Sequence, residues 1–162
     1  AREQDLPPLD TTDKRNTHSK NAPGYDARTL LYEVVGVDLV AISGLNASTV
    51  QTILSDTGLD LSAFPSEKHF GSWLGLAPRN DISGGKVLRS RTLKSGNRAG
   101  QAFRLAAQAV SRNQDEFGAY YRRQRARLGP EQAIVATAHK IARAFYHVLK
   151  YRTPFRLVGT TS

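Results

Sequence analysis

An apolar stripe with the period of an α-helix is the feature that most constrains the fold of this chain. Six residues recur at i, i+3, i+4, i+7, i+8 and i+11, namely Ala99, Ala102, Phe103, Ala106, Ala107 and Val110. That spacing puts all six on one helix face, which other elements must cover. A second stripe follows Gly129-Pro130 and consists of Ile134, Ala138, Ile141, Ala142, Phe145 and Leu149. No segment shows convincing strand alternation. The sequence therefore predicts an all-α helical bundle.

Cap and turn signals divide the rest of the chain. Helices are predicted over about 26–35 and 38–42, after Asn46, from Ser66 as N-cap, after Ser95, and over 115–127. Residues 77–94 are predicted to form a Gly-containing loop, residues 1–24 a linker or extended arm, 25–155 the folded domain and 156–162 a tail. Because the chain has no Met, we expect it to be the C-terminal part of a longer polypeptide.

The charge balance points to a polyanionic partner. There are 23 Lys and Arg against 14 Asp and Glu, a formal charge of +9, which is typical of nucleic-acid binding. The absence of Cys excludes disulfides and thiolate metal sites, and four scattered His residues have no metal-ligand spacing. No apolar run is long enough to span a membrane, so we expect a cytoplasmic protein that does not bind membranes.

A serine stands in a Gly-flanked loop among cations, in the motif Ser83-Gly84-Gly85-Lys86. Between Arg79 and Arg104 there are seven Lys or Arg and one acid, Asp81. A serine hydroxyl is a candidate nucleophile where cations neutralise a phosphodiester and its transition state. The candidate phosphate-binding residues here are Arg79, Lys86, Arg89, Arg91, Lys94 and Arg98. The local alternative is an ordinary polar turn.

Two further segments are candidates for backbone contacts to nucleic acid. The turn Gly44-Leu45-Asn46, between two short predicted helices, resembles a helix-hairpin-helix, whose exposed N–H groups hold a phosphate. The alternative is a plain helical hairpin. The predicted helix 115–127 carries Arg122 and Arg123, which fit phosphate contacts or a solvated face equally well.

The remaining conspicuous side chains favour structural roles. His139, Lys140, Arg143 and His147 share a polar flank of the last helix and are interpreted as surface residues. Phe70 and Trp73 have helical spacing and are predicted to lie in the core.

A long ordered series of motifs resembles the C-terminal transposase domain of the IS110 family of insertion sequences, including its IS1111 group. The resemblance covers about 25–155. The motifs are Asp38-Leu39, Gly44-Leu45, Phe64-Pro65-Ser66, His69-Phe70, Trp73 to Pro78, Ser83 to Lys86, Asn97-Arg98, Leu105-Ala106-Ala107, Gly118 to Arg123, Gly129, Ala133 and Ala136 to Lys140.

The resemblance implies a division of labour between two domains. Ser83 would be the catalytic serine, while a RuvC-like domain with a DEDD carboxylate set, absent from this chain, would hold divalent metal such as Mg²⁺. DNA and the element's bridge RNA would be partners, and the full-length bacterial protein would form dimers or tetramers. We therefore expect this chain to bind nucleic acid without cutting it. The competing hypothesis is a non-catalytic binding or assembly module.

Overall fold

The computed structural model describes residues 26–77, 82–83, 86–87 and 97–155, the two short pairs through their backbone alone. In chain order, this part of the chain forms α1 (Ala27–Val35), a 3₁₀ turn (Leu39–Ala41), α2 (Ala47–Thr57), α3 (Glu67–Leu74), β1 (Ile82–Ser83), β2 (Lys86–Val87), α4 (Arg98–Val110), α5 (Glu116–Leu128) and α6 (Pro130–Tyr151). The predicted all-α fold is confirmed, since each strand has only two residues. The predicted arm 1–24 and tail 156–162 lie outside the described residues.

Side-chain caps start the helices close to where the sequence predicts them. Asn46 and Ser66 cap α2 and α3 as predicted. The helix expected after Ser95 begins instead after Asn97, whose Oδ1 accepts a hydrogen bond from the Gly100 N–H at 2.7 Å. A carboxamide can accept with its oxygen and donate with its nitrogen at the same time. Asn97 uses both atoms, which accounts for the shift.

An aromatic cluster joins three helices at the centre of the core. The Phe70 ring of α3 lies 6.2 Å from Phe103 of α4 and 6.1 Å from Phe145 of α6, measured between ring centroids. Phe103 and Phe145 are themselves 5.4 Å apart, edge to face. The predicted core position is confirmed for Phe70, which is fully buried. Trp73 is 36% exposed, because it lies at the rim of the same helix face.

Small residues let α4 approach its neighbours closely. The buried alanines of α4 and α6 are Ala99, Ala102, Ala106, Ala107, Ala133, Ala138 and Ala142. Gly44 has a left-handed backbone (φ 89°), and an added Cβ would lie 2.8 Å from both Ala106 O and Val110 Cγ1. The ion pair between Lys140 Nζ and Glu116 Oε1, at 3.1 Å, shows that α6 returns antiparallel to α5. Close packing of this kind is what the Ala-rich stripes predict.

Two local expectations need correction. The short helix predicted over 38–42 is only a single 3₁₀ turn. The Asp38 carboxylate forms no cap and instead accepts a hydrogen bond from Arg28 Nη2 at 2.6 Å, so the helix start lacks its side-chain partner. The predicted loop 77–94 contains the antiparallel ladder of β1 and β2. A pairing of two residues is too short to produce the alternation by which strands are recognised.

Candidate functional site

The Ser-Gly-Gly-Lys motif forms a tight antiparallel ladder. Ser83 is the register partner of Lys86, and Ile82 is the partner of Val87. The two glycines between the strands, Gly84 and Gly85, lie outside the described residues. The ladder pairs a residue that bears a hydroxyl with one that bears an ammonium group. Four other predicted phosphate-binding residues lie outside the described residues: Arg79, Arg89, Arg91 and Lys94.

The helix that leads into this segment ends in a Schellman motif. Gly75 takes a left-handed conformation (φ 76°), and its N–H donates to Ser72 O at 3.0 Å. The Leu76 N–H donates to Gly71 O at 2.9 Å. This arrangement satisfies two of the carbonyls that a helix leaves unpaired at its end. It also turns the chain sharply away from α3, just before the serine-bearing segment.

The N-cap of α4 and one of its arginines bind two further carbonyls at the end of α3. Asn97 Nδ2 donates to Trp73 O at 3.1 Å, and Arg104 Nη2 donates to Gly75 O at 3.2 Å. Gly100 allows the backbones to touch, since an added Cβ would lie only 2.3 Å from Leu74 O. The described residues that flank segment 78–96 on its two sides are therefore in contact with each other. We call these contacts between the end of α3 and the start of α4 the loop base.

Arg98 lies at the loop base with its side chain 78% exposed. Its Nη2 is 3.7 Å from Asp56 Oδ1, while Asp56 Oδ2 accepts a hydrogen bond from the Ala99 N–H at 3.0 Å. The first turn of α4 is thus already supplied with acceptors by Asn97 and Asp56. Any contribution of this end of α4 to anion binding must come from the Arg98 guanidinium rather than from the helix N-terminus.

The turn predicted to resemble a helix-hairpin-helix is built into the core. Leu45 is buried, and Gly44 packs against α4. Asn46 Oδ1 accepts from both the N–H and the Oγ1 of Thr49, each at 2.8 Å. One N–H of the first turn of α2 is therefore satisfied internally. The helix before the turn is reduced to three residues of 3₁₀ geometry. Phosphate binding by this turn stays a prediction.

The arginines of α5 differ in what they contact. Arg122 Nη1 donates to Asn113 O at 3.0 Å, so it ties α5 to the preceding turn. The Arg123 guanidinium carbon lies 5.8 Å from the centre of the Tyr120 ring, a cation–π contact. Lys140 Nζ lies 5.0 Å from the same ring. Both Arg122 and Arg123 are exposed. Arg122 therefore has a structural role in addition to any role at a phosphate.

Three cationic or titratable side chains are more buried than the sequence suggests. Within the described part of the chain, Arg104 Nε, His139 Nε2 and Arg143 Nε are buried without a hydrogen-bond partner. His139 lies against Gly71 of α3, where an added Cβ would be 2.5 Å from Nε2. The interpretation of His139 and Arg143 as surface residues is wrong, because both are half-buried. The small residue at position 71 is a signal that could have revealed the contact.

Burial sets the protonation state of His139. Desolvation lowers the pKa of His139 below its ordinary value of 6.5, and the nearby Arg143 charge lowers it further. Glu67 acts in the opposite direction. A buried imidazole is favoured in its neutral form for these reasons. His139 is therefore a neutral ring at the contact of α3 with α6.

Two kinds of feature are absent from the described residues, namely a cluster of metal ligands and a membrane-spanning helix. No three His, Asp or Glu side chains among residues 26–77 and 97–155 converge as metal ligands would. In the same part of the chain, no helix is both long and apolar enough to cross a membrane.

Comparison with known proteins yields one finding. A family model described as Transposase IS116/IS110/IS902 family matches residues 38–122, just over half of the 162-residue chain. The match begins at the 3₁₀ turn, includes the loop base and the whole serine-bearing segment, and ends in α5. No curated protein matches the chain.

Proposed function

The chain belongs to the IS116/IS110/IS902 transposase family, and on this premise we propose that it binds DNA and supplies Ser83 as the nucleophile of strand exchange. The family match carries the proposal, since it spans the serine-bearing segment together with the helices that hold both of its ends. The proposed phosphate-binding residues are Arg79, Lys86, Arg89, Arg91, Lys94, Arg98, Arg122 and Arg123.

The local arrangement supports a phosphoryl-transfer role. Ser83 and Lys86 are register partners, and the segment between Arg79 and Arg104 carries seven cations against one acid. Cations that surround a transferring phosphoryl group stabilise the charge of its transition state. The loop base joins the ends of the segment through Asn97 and Arg104.

The proposed chemistry proceeds in two exchanges. The Ser83 hydroxyl attacks a DNA phosphorus, a bond forms from phosphorus to Oγ, and the bond to the 3′ oxygen breaks. The proton of serine is transferred to the departing 3′ oxygen, which leaves a phosphoserine linked to the 5′ side. The 3′-OH of another strand then attacks this phosphoserine, and Ser83 regains its proton. The number of phosphodiester bonds is conserved, as expected for covalent catalysis of transfer.

The remaining components of the proposal lie beyond this chain. Divalent metal belongs to the DEDD domain, whose carboxylates the chain does not contain. Bridge RNA is the proposed second nucleic-acid partner, and a dimer or tetramer is the proposed assembly of the full-length protein. This chain by itself is expected to bind DNA without cleaving it.

The test is covalent trapping on the full-length transposase with its RNA and labelled donor DNA. Wild type is expected to form a protein–DNA adduct that maps to Ser83, and Ser83→Ala is expected to abolish it while DNA affinity persists. Ser90→Ala and Ser95→Ala are matched controls, because both serines stand in the same basic segment. Both control variants should form the adduct at the wild-type level.

Each other result identifies a different function. If the adduct persists in Ser83→Ala but is lost in Ser90→Ala or Ser95→Ala, the nucleophile is Ser90 or Ser95 and not Ser83. If wild type forms no adduct but binds DNA and recombines it, the chain is a non-catalytic binding or assembly module. In that case Ser83→Ala should leave recombination unchanged.

A further inference from the structure

We propose that the end of α6, at Tyr151, is a stacking platform for an unpaired base of single-stranded DNA. The proposal deepens and rests on the proposed function, because it assigns a site to one form of the DNA substrate. None of the residues involved is among the predicted phosphate-binding set. The platform consists of His147, Lys150, Tyr151 and Arg152.

Tyr151 presents an aromatic face to solvent. Its side chain is 58% exposed, the joint highest exposure among the large hydrophobic residues of the described chain, with Val34. The His147 ring stacks on it with centroids 5.6 Å apart and planes inclined by 24°. His147 therefore lies against one side of the tyrosine ring, while more than half of the residue stays open to solvent. An open ring face of this kind is what a nucleobase stacks on.

The ring that backs Tyr151 is itself held in place. His147 Nε2 is hydrogen-bonded to Glu67 Oε2 of α3, so two helices support the stack. Lys150 Nζ donates to Tyr146 OH at 2.7 Å, and Tyr146 OH donates to Phe64 O at 2.8 Å. A rigid platform loses little side-chain entropy when a ligand binds.

One cation lies over the exposed ring, and a second follows in sequence. Lys150 Nζ lies 5.9 Å from the centre of the Tyr151 ring, and Arg152 follows directly in sequence. Arg152 is the single residue other than glycine with positive φ among the described residues, at 53°. Arg152 is the C-cap of α6, and helices commonly end in this left-handed conformation. Aromatic faces beside cations fit a ligand that has both a base and a phosphate.

A structural role accounts for part of this arrangement. Arg152 Nη1 donates to Leu149 O, and cations near a helix C-terminus stabilise its exposed carbonyls. That role explains Lys150 and Arg152. It gives no reason for an exposed tyrosine stacked on a histidine at the same place. Bases in a duplex are covered by their neighbours, so the platform fits single strands, and the family's DNA chemistry favours DNA.

The experiment measures affinity by fluorescence anisotropy, using the 162-residue chain and a labelled oligothymidylate. Tyr151→Ala is expected to weaken binding by roughly 5- to 100-fold, the loss that corresponds to removal of one stacked base. Tyr151→Phe keeps the ring and should bind within about twofold of wild type. Leu105→Ala is the matched control, because Leu105 is exposed to a similar extent (55%).

Duplex DNA and oligouridylate of equal length complete the test. Support requires that Tyr151→Ala lowers affinity for the single strand of DNA more than for duplex. An equal loss on both, no loss on either, or a loss confined to RNA overturns the platform. The platform is also overturned if Tyr151→Ala lowers self-association without changing DNA affinity. If wild type binds duplex but no single strand, the platform alone fails. If wild type binds neither, the proposed function fails with it.

Discussion

His139 joins a titratable ring to a tight contact between helices. Its Nε2 is buried without a partner in the described structure and lies against the backbone of Gly71. The pKa of His139 is lowered in the folded protein, chiefly by desolvation. As pH falls below about 6.5, the unfolded chain takes up a proton that the folded chain resists. The free energy of unfolding should therefore decrease between pH 7 and pH 5.

We expect His139→Gln to reduce this pH dependence, because glutamine stays neutral throughout the range. The measurement is urea unfolding of both proteins at pH 7 and pH 5. His69→Gln is the control, since His69 is exposed on the same helix α3. It should leave the difference between the two pH values close to that of wild type. Equal pH dependence in wild type and His139→Gln would contradict the assigned burial effect.

At the scale of elements, the docking of α3 on α4 depends on the absence of a side chain at Gly100. A methyl group there would lie 2.3 Å from Leu74 O, which belongs to the backbone and cannot rotate away. We expect Gly100→Ala to lower the free energy of unfolding by about 2 kcal/mol, despite the better helix propensity of alanine. Urea unfolding measures the change. Gln101→Ala, at the exposed neighbouring position, should cost less than about 0.5 kcal/mol.

The elements show which features local sequence can predict. The spacing of apolar residues predicts the helices that carry apolar stripes. The caps Asn46 and Ser66 are predicted by side chains that hydrogen-bond to the backbone within the first turn of the helix. The corrected features depend on partners distant in sequence. The Asp38 carboxylate accepts a hydrogen bond from Arg28, ten positions away, and Asn97 Nδ2 donates one to Trp73 O, 24 positions away. Burial of His139 likewise depends on α3. Local sequence patterns therefore do not predict the roles of site residues whose contacts are made with residues distant in sequence.

At the scale of the whole molecule, the charge of +9 favours a polyanionic partner, and α5 is the described helix with most exposed arginines. Arg122 and Arg123 are adjacent but differ in their contacts. Arg122 supports the turn before α5 through Asn113 O, whereas Arg123 lies over an aromatic ring. Loss of the Arg122 hydrogen bond should cost about 1 kcal/mol of stability. Arg123 can be removed with less structural effect.

Arg123→Gln is therefore the cleaner probe of this surface. We expect it to lower the magnitude of the slope of log K against log salt on duplex DNA by about one, with unfolding unchanged. Arg122→Gln should lower the slope equally and also destabilise the fold. Anisotropy titrations over a series of salt concentrations provide the slopes. An unchanged slope in both variants would remove Arg122 and Arg123 from the phosphate contacts. The positive charge that meets DNA would then have to come from the serine-bearing segment and Arg98.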